Sequence, residues 1–131
     1  MIAAPLNLGT LLVVEDDEGI REAVAEILAL SGYQVSTASD LTEARRRIAI
    51  EMPAILVLDL MLGTESGESL LEELADRADA AHTFLMSASP AAEGVAARFG
   101  VPLVRKPFDL DAFTALLADV RARRRPSSPA A

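Results

Sequence analysis

"ILVLDLMLGT", residues 55–64, is an apolar run broken by one carboxylate, Asp59. The segment before the acid is strand-sized, and its lack of polar alternation is that of a strand covered on both faces. It begins just after Pro53 and gives way to Gly63-Thr64. An acid at the end of such a strand is costly unless a partner meets it there, so the rest of the chain has to be read for what could lie beside Asp59.

Working outward, "LLVV" (11–14) and "TFLM" (83–86) are also near-continuous apolar runs and belong with "AILVL" (54–58) in a sheet interior. "YQVSTA" (33–38) is more polar, and "VPLVR" (101–105) contains Pro102, which cannot donate a ladder hydrogen bond. Both are placed at sheet edges. Longer segments of helical period separate the five runs, which predicts an α/β fold with helices on both faces of a parallel sheet. With right-handed crossovers the edge assignments select a doubly wound, five-stranded, flavodoxin-like sheet of order 2-1-3-4-5.

Local signals set the helices. Ile20, Val24, Ile27 and Leu28 mark one face of a first helix that stops near Ser31-Gly32. Asp40 with Glu43 resembles a capping box, followed by a stripe of Leu41, Ala44 and Ile48. Leu70, Leu71 and Leu74 mark a third helix. The segment from Ala91 to Phe99 is Ala-rich and contains Gly94, which predicts a weak or irregular helix. Asp109 can cap a fifth, with Leu110, Phe113, Leu116, Leu117 and Val120 facing inward. Residues 1–8 read as an N-terminal extension, 9–122 as one domain, and 123–131 as a disordered tail or the start of a linker, with no effector domain after it.

Composition narrows the function. There is no cysteine, which excludes disulfides, thiolate metal sites and thiol catalysis. No apolar run is long enough for a membrane span and no basic segment opens the chain, so a cytoplasmic protein without membrane contact is expected. A net charge of −8 repels phosphate backbones, and direct nucleic-acid binding is not expected. The basic run "RARRR" (121–125) is read as offsetting a helix dipole, and His82 as a surface residue away from the acids.

In an open parallel sheet, ligands bind beyond the carboxyl ends of the strands. Those ends carry Glu15, Asp16 and Asp17, then Asp59, then Ser87, then Lys106 followed by Pro107. Crowded carboxylates call for a cation, and oxygen ligands without His or Cys suit Mg²⁺. A hydroxyl and an ammonium nearby suit a phosphoryl group, for which an aspartate can serve as nucleophile. Asp59, alone on the central strand, is the candidate. Simpler readings exist for each residue: the acidic triplet as a helix cap, Asp59 as a turn residue, Ser87 and Ser89 as a helix-start motif before Pro90, Lys106 as a surface charge. Asp17 is assigned to capping; the other residues are taken together as a site.

"LLVVEDD", "LVLDLMLGTESG", "LMSAS" and "RKPF" together resemble, in order and spacing, the signatures of the receiver domain of two-component response regulators, over residues 9–122. The resemblance implies that Asp59 accepts a phosphoryl group from a histidine kinase or phosphotransfer protein, in a standalone receiver or one from a hybrid histidine kinase. It implies Mg²⁺ held by Asp16, Asp59 and the Met61 backbone carbonyl, with Glu15 acting through water. It further implies that Ser87 and Lys106 contact the phosphoryl oxygens, that Pro107 carries a cis peptide, and that Gly67 forms the turn into the third helix. Such a domain switches conformation and acts on no outside substrate, as a monomer or weak dimer. Two positions depart from the pattern. Gly63 replaces the usual proline, which should loosen the loop after Asp59, and Leu103 occupies the switch position where many members carry Tyr or Phe. "DLMLGT" is also similar to the nucleophile motif of haloacid dehalogenase-type aspartyl-phosphate phosphatases, an alternative disfavoured because Met61 stands where they need a second acid.

Overall fold

Each apolar run forms a strand. The protein, seen in a computed structural model, is described over residues 8–106, 109, 111, 113–115 and 117–118. The elements run β1 (Thr10–Val14), α1 (Glu18–Leu30), β2 (Gln34–Ala38), α2 (Leu41–Ile50), β3 (Ile55–Asp59), β4 (Met61–Leu62), β5 (Glu65–Ser66), α3 (Glu68–Ala75), β6 (His82–Ser87), α4 (Ala92–Phe99) and β7 (Leu103–Arg105). Strands β2-β1-β3-β6-β7 make a five-stranded parallel sheet, and β4 and β5 pair only with each other as a short antiparallel ribbon. With that ribbon set aside, the order is the expected 2-1-3-4-5, and the polar β2 and β7, which Pro102 directly precedes, lie at the edges.

Side-chain alternation divides the apolar residues into two cores. Leu12, Val14, Leu56, Leu58 and Leu85 face α2, α3 and α4. Leu11, Val13, Ile55, Val57, Phe84, Met86 and Val104 face α1 and the helical residues Phe113 and Leu117. Successive strand residues point to opposite faces, so a strand buried on both sides needs every position apolar; hence the continuous run at 55–58.

The predicted caps hold. Asp17 is the N-cap of α1, its Oδ1 accepting the Ile20 N–H at 2.9 Å. Asp40 caps α2 in the same way through the Glu43 N–H at 2.8 Å, and Asp109 Oδ1 accepts from the Asp111 N–H at 2.8 Å. The α1 chain stops at Ser31, followed by Gly32 at φ 110°. The fourth helix, expected to be irregular, is a regular eight-residue helix. Gly94 lies where an added Cβ would meet nothing within 4 Å, so its cost is limited to propensity, about 1 kcal/mol. Gly100, at φ 64°, terminates the helix in the left-handed conformation, with the Val101 N–H returning to the Ala96 carbonyl.

Gly67 opens α3, but not through backbone freedom: its φ is −61°. A Cβ there would sit 2.6 Å from the Asp59 carbonyl oxygen and 3.1 Å from Leu58 Cγ. The glycine lets α3 begin directly against the end of β3, fixed by its N–H to the Leu60 carbonyl at 2.7 Å. Gly67→Ala should therefore destabilise the domain by about 1–3 kcal/mol through forced backbone displacement, read as a lowered urea midpoint; an unchanged midpoint would show that the two elements are not in fixed contact.

Candidate functional site

Strand parity assembles the site. Glu15 continues the side of β1 that carries Leu11 and Val13, Asp59 continues Ile55 and Val57, and Lys106 continues Val104. All three therefore emerge on one face at the carboxyl edge of the sheet. Lys106 Nζ donates to Glu15 Oε2 at 2.7 Å and to Asp59 Oδ2 at 2.9 Å. Glu15 and Asp59 are buried, with 1% and 4% of their surface exposed, so the reading of Lys106 as a free surface charge is excluded.

Charge does not balance in this group. Two buried carboxylates share one ammonium, which leaves one negative charge without a countercharge in a poorly hydrated position. The excess appears on Glu15: burial, reinforced by the adjacent Asp59 carboxylate, pushes its pKa up to about 7, while the Lys106 ammonium and the Asp17 N–H pull it partly back. Burial also disfavours the Lys106 ammonium, but its hydrogen bonds to Glu15 and Asp59 outweigh that and hold its pKa above the usual lysine value. Asp16, exposed beside the pair, brings a third carboxylate, and Glu15, Asp16 and Asp59 each offer an oxygen within 4.8 Å of the others. An all-oxygen set with surplus negative charge fits a hard divalent cation.

Ser87, at the end of β6 and buried, has its Oγ accepting the Ser89 N–H at 2.9 Å, and Ser89 Oγ in turn accepts from Ala91 at 3.2 Å. The helix-start role considered for these two serines is thus present in the structure. The next strand is tied on by the Lys106 N–H to the Ser87 carbonyl at 3.0 Å. Met61 is half-exposed, and its N–H donates to Asp59 Oδ1 at 3.1 Å. Leu103 is half-buried on the α4 side of β7. Pro107 lies outside the described residues.

The segment after Asp59, where Gly63 suggests a loosened loop, is a paired ribbon. Residues 61–66 form the β4-β5 ribbon, with Leu62 paired to Glu65 across a Gly63-Thr64 turn. Gly63 takes φ 64° and, among the described residues, no non-glycine residue has positive φ, the pattern of a tight turn that needs glycine first. Its N–H donates to Asp16 Oδ2 at 3.0 Å. Residue types alone do not pick out this bond, because every residue except proline carries a backbone N–H. Residue type and spacing do not single out two arginines at this edge either. Arg21 Nη1 donates to the Glu15 carbonyl at 3.0 Å and the Asp16 carbonyl at 3.4 Å; a cation near a helix N-terminus opposes the dipole, and that is the signal it offers. Arg105 donates to the Ser89 carbonyl at 2.8 Å and to Glu93 at 2.7 Å.

Residues 11–118 match the response regulator receiver domain family. The chain belongs to that family. It is 32% identical over 122 residues to response regulator MprA of Mycobacterium avium, a match covering 91% of this chain and 52% of that protein; the chain spans about half the length of the curated relatives it matches. Among solved structures it is similar to a response regulator protein from Burkholderia pseudomallei with a phosphorylated aspartic acid, a calcium ion and citrate, at TM-score 0.73 and 28% identity, covering 92% of this chain and 75% of that one. A putative response regulator from Chloroflexus aurantiacus shares the fold at TM-score 0.80 and 23% identity, covering 88% of this chain and 98% of that one. No helix among the described residues is long and apolar enough to cross a membrane.

The raised Glu15 pKa makes this receiver domain's stability depend on pH. Its folded pKa of about 7 lies above the ordinary 4.5, so the folded state holds a proton that the unfolded chain has released. The stabilising contribution is complete below about pH 4.5 and is lost as pH rises towards about 7. Urea midpoints in chelator should fall across that window, and Glu15→Gln should flatten the fall; the same slope in both proteins would remove Glu15 as its source.

Proposed function

We propose that Asp59 is the phosphoacceptor of a two-component signalling pathway, taking a phosphoryl group from the phosphohistidine of a histidine kinase or phosphotransfer protein in the cytoplasm. The observation that carries this reading is the Lys106 ammonium held at 2.9 Å from a buried Asp59 carboxylate in a group of acids with excess negative charge. An Asp59 carboxylate oxygen attacks phosphorus as the P–N bond to imidazole breaks, so an acyl phosphate forms and the histidine is released.

Asp16, Asp59 and the Met61 backbone carbonyl are the residues proposed to hold Mg²⁺, with Glu15 acting through water. When bound, the cation supplies positive charge opposite the phosphoryl oxygens. Lys106 exchanges one carboxylate partner for a phosphoryl oxygen, keeping its ammonium satisfied. Ser87 Oγ accepts from the Ser89 N–H, which leaves its own O–H able to donate to a second phosphoryl oxygen. Pro107 and Gly67 are assigned structural roles. With Leu103 at the switch position, the response travels without an inward-turning ring, and a pull on Ser87 reaches α4 through the Ser89 segment that Arg105 holds. The domain acts on its own aspartate and on no outside substrate. Nothing at position 61 favours the haloacid dehalogenase-type alternative, since its half-exposed thioether supplies no acid.

Incubation with a small phosphodonor and Mg²⁺ should add one phosphoryl group by intact mass, and Asp59→Asn should add none. Phosphorylation that persists in Asp59→Asn, or is absent from the unsubstituted protein, would reject the assignment.

A further inference from the structure

Among the three acids, Glu15 and Asp59 are buried and held by Lys106. Asp16 is different: it is exposed, and among the described residues the one hydrogen-bond donor to its carboxylate is the Gly63 N–H at 3.0 Å. Without that bond an exposed aspartate keeps its rotamer freedom and loses it on taking up a cation. With it, the side chain is already fixed towards its neighbours, and a carboxylate with one oxygen so engaged still has lone pairs for a metal. The donor is presented by the ribbon. Met61 and Gly63, two residues apart, direct their N–H groups to Asp59 and to Asp16 respectively, so one short segment orients both acids.

We infer that the Gly63 backbone N–H is a positioning donor for the divalent-cation site: by holding Asp16 beside Glu15 and Asp59 it raises the site's affinity for Mg²⁺. This rests on reading the three acids as that site. The donor exists because position 63 is not proline, which would lack the N–H and fix φ near −65° where this chain takes 64°.

The test is calorimetric titration of the metal-free protein with MgCl₂. Gly63→Asn and Gly63→Ala both retain the N–H; Asn tolerates positive φ, while Ala carries the same strain against it as other L-residues, and an added Cβ meets nothing within 4 Å. Gly63→Pro removes the donor. Asn and Ala should bind Mg²⁺ within about twofold of the unsubstituted chain, and Pro about three- to tenfold more weakly. Equal affinity in Pro, or an equal loss in Ala and Pro, overturns the inference, the latter by assigning the effect to turn geometry. Independently of any change at 63, the Gly63 amide should be protected from hydrogen exchange and lose that protection in Asp16→Ala; an amide equally labile in both overturns it as well. An unsubstituted protein that takes up no Mg²⁺ overturns the cation-site reading itself.

Discussion

One ammonium shared by two buried carboxylates is the constraint on which the rest of this structure depends. Lys106 reaches Glu15 across 91 residues and Asp59 across 47, so the contact exists only if β1, β3 and β7 lie in one sheet with the same parity at their carboxyl ends. A one-residue slip in any of the three would turn a charged side chain to the other face and leave a buried charge unpaired, which costs several kcal/mol. The cluster therefore specifies register. It is weak evidence for stability, since apolar residues in the same place would avoid desolvation altogether. Its surplus negative charge, which draws a proton to Glu15, suits a cation, and Glu15, Asp16 and Asp59 are placed so that they could hold one.

The sheet was legible because its physics is written in side chains. Continuous apolar runs mark strands covered on both faces, and Pro102 and the polar residues of β2 mark the edges. Acids and a lysine directly following those runs could be placed at one edge by topology alone. Asp17 was separable from its acidic neighbours because only one of three consecutive residues can occupy the cap.

What escaped is carried by the backbone or by packing. Gly63 reads as flexibility in a sequence, yet in the fold it is a turn residue whose N–H meets a carboxylate from a distant segment. Gly67 reads as the turn into the third helix, which it is, but its φ is ordinary and its lack of a side chain is what lets α3 meet Asp59. Gly94 suggests a broken helix, but at an open position it costs only propensity, and buried Ala92 and Ala96 hold the segment to the core. A glycine has three uses in this chain, and composition cannot tell them apart: positive φ at 9, 32, 63 and 100, close approach at 67, mere tolerance at 94.

The same distinction between fixed and weak contacts runs through the surface around α4. Arg98 links it to Glu68 and Glu72 of α3 at 2.6 and 3.2 Å and stacks over Phe99, while Arg105 links Glu93 and the Ser89 carbonyl to β7. These pairs are exposed, and each contributes at most about 1 kcal/mol. The buried residues of α4 are Ala92 and Ala96, the smallest apolar side chains, against three leucines on α3. Val95 and Phe99 add partly buried contacts to the same core, so α4 buries less apolar side chain completely than α3 and leans more on solvent-screened ties. It is also the helix that follows directly from Ser87. A new partner at that hydroxyl would be worth about as much as one charge-assisted hydrogen bond, which is comparable to those ties, whereas displacing α3 would break its leucine packing and the close approach at Gly67.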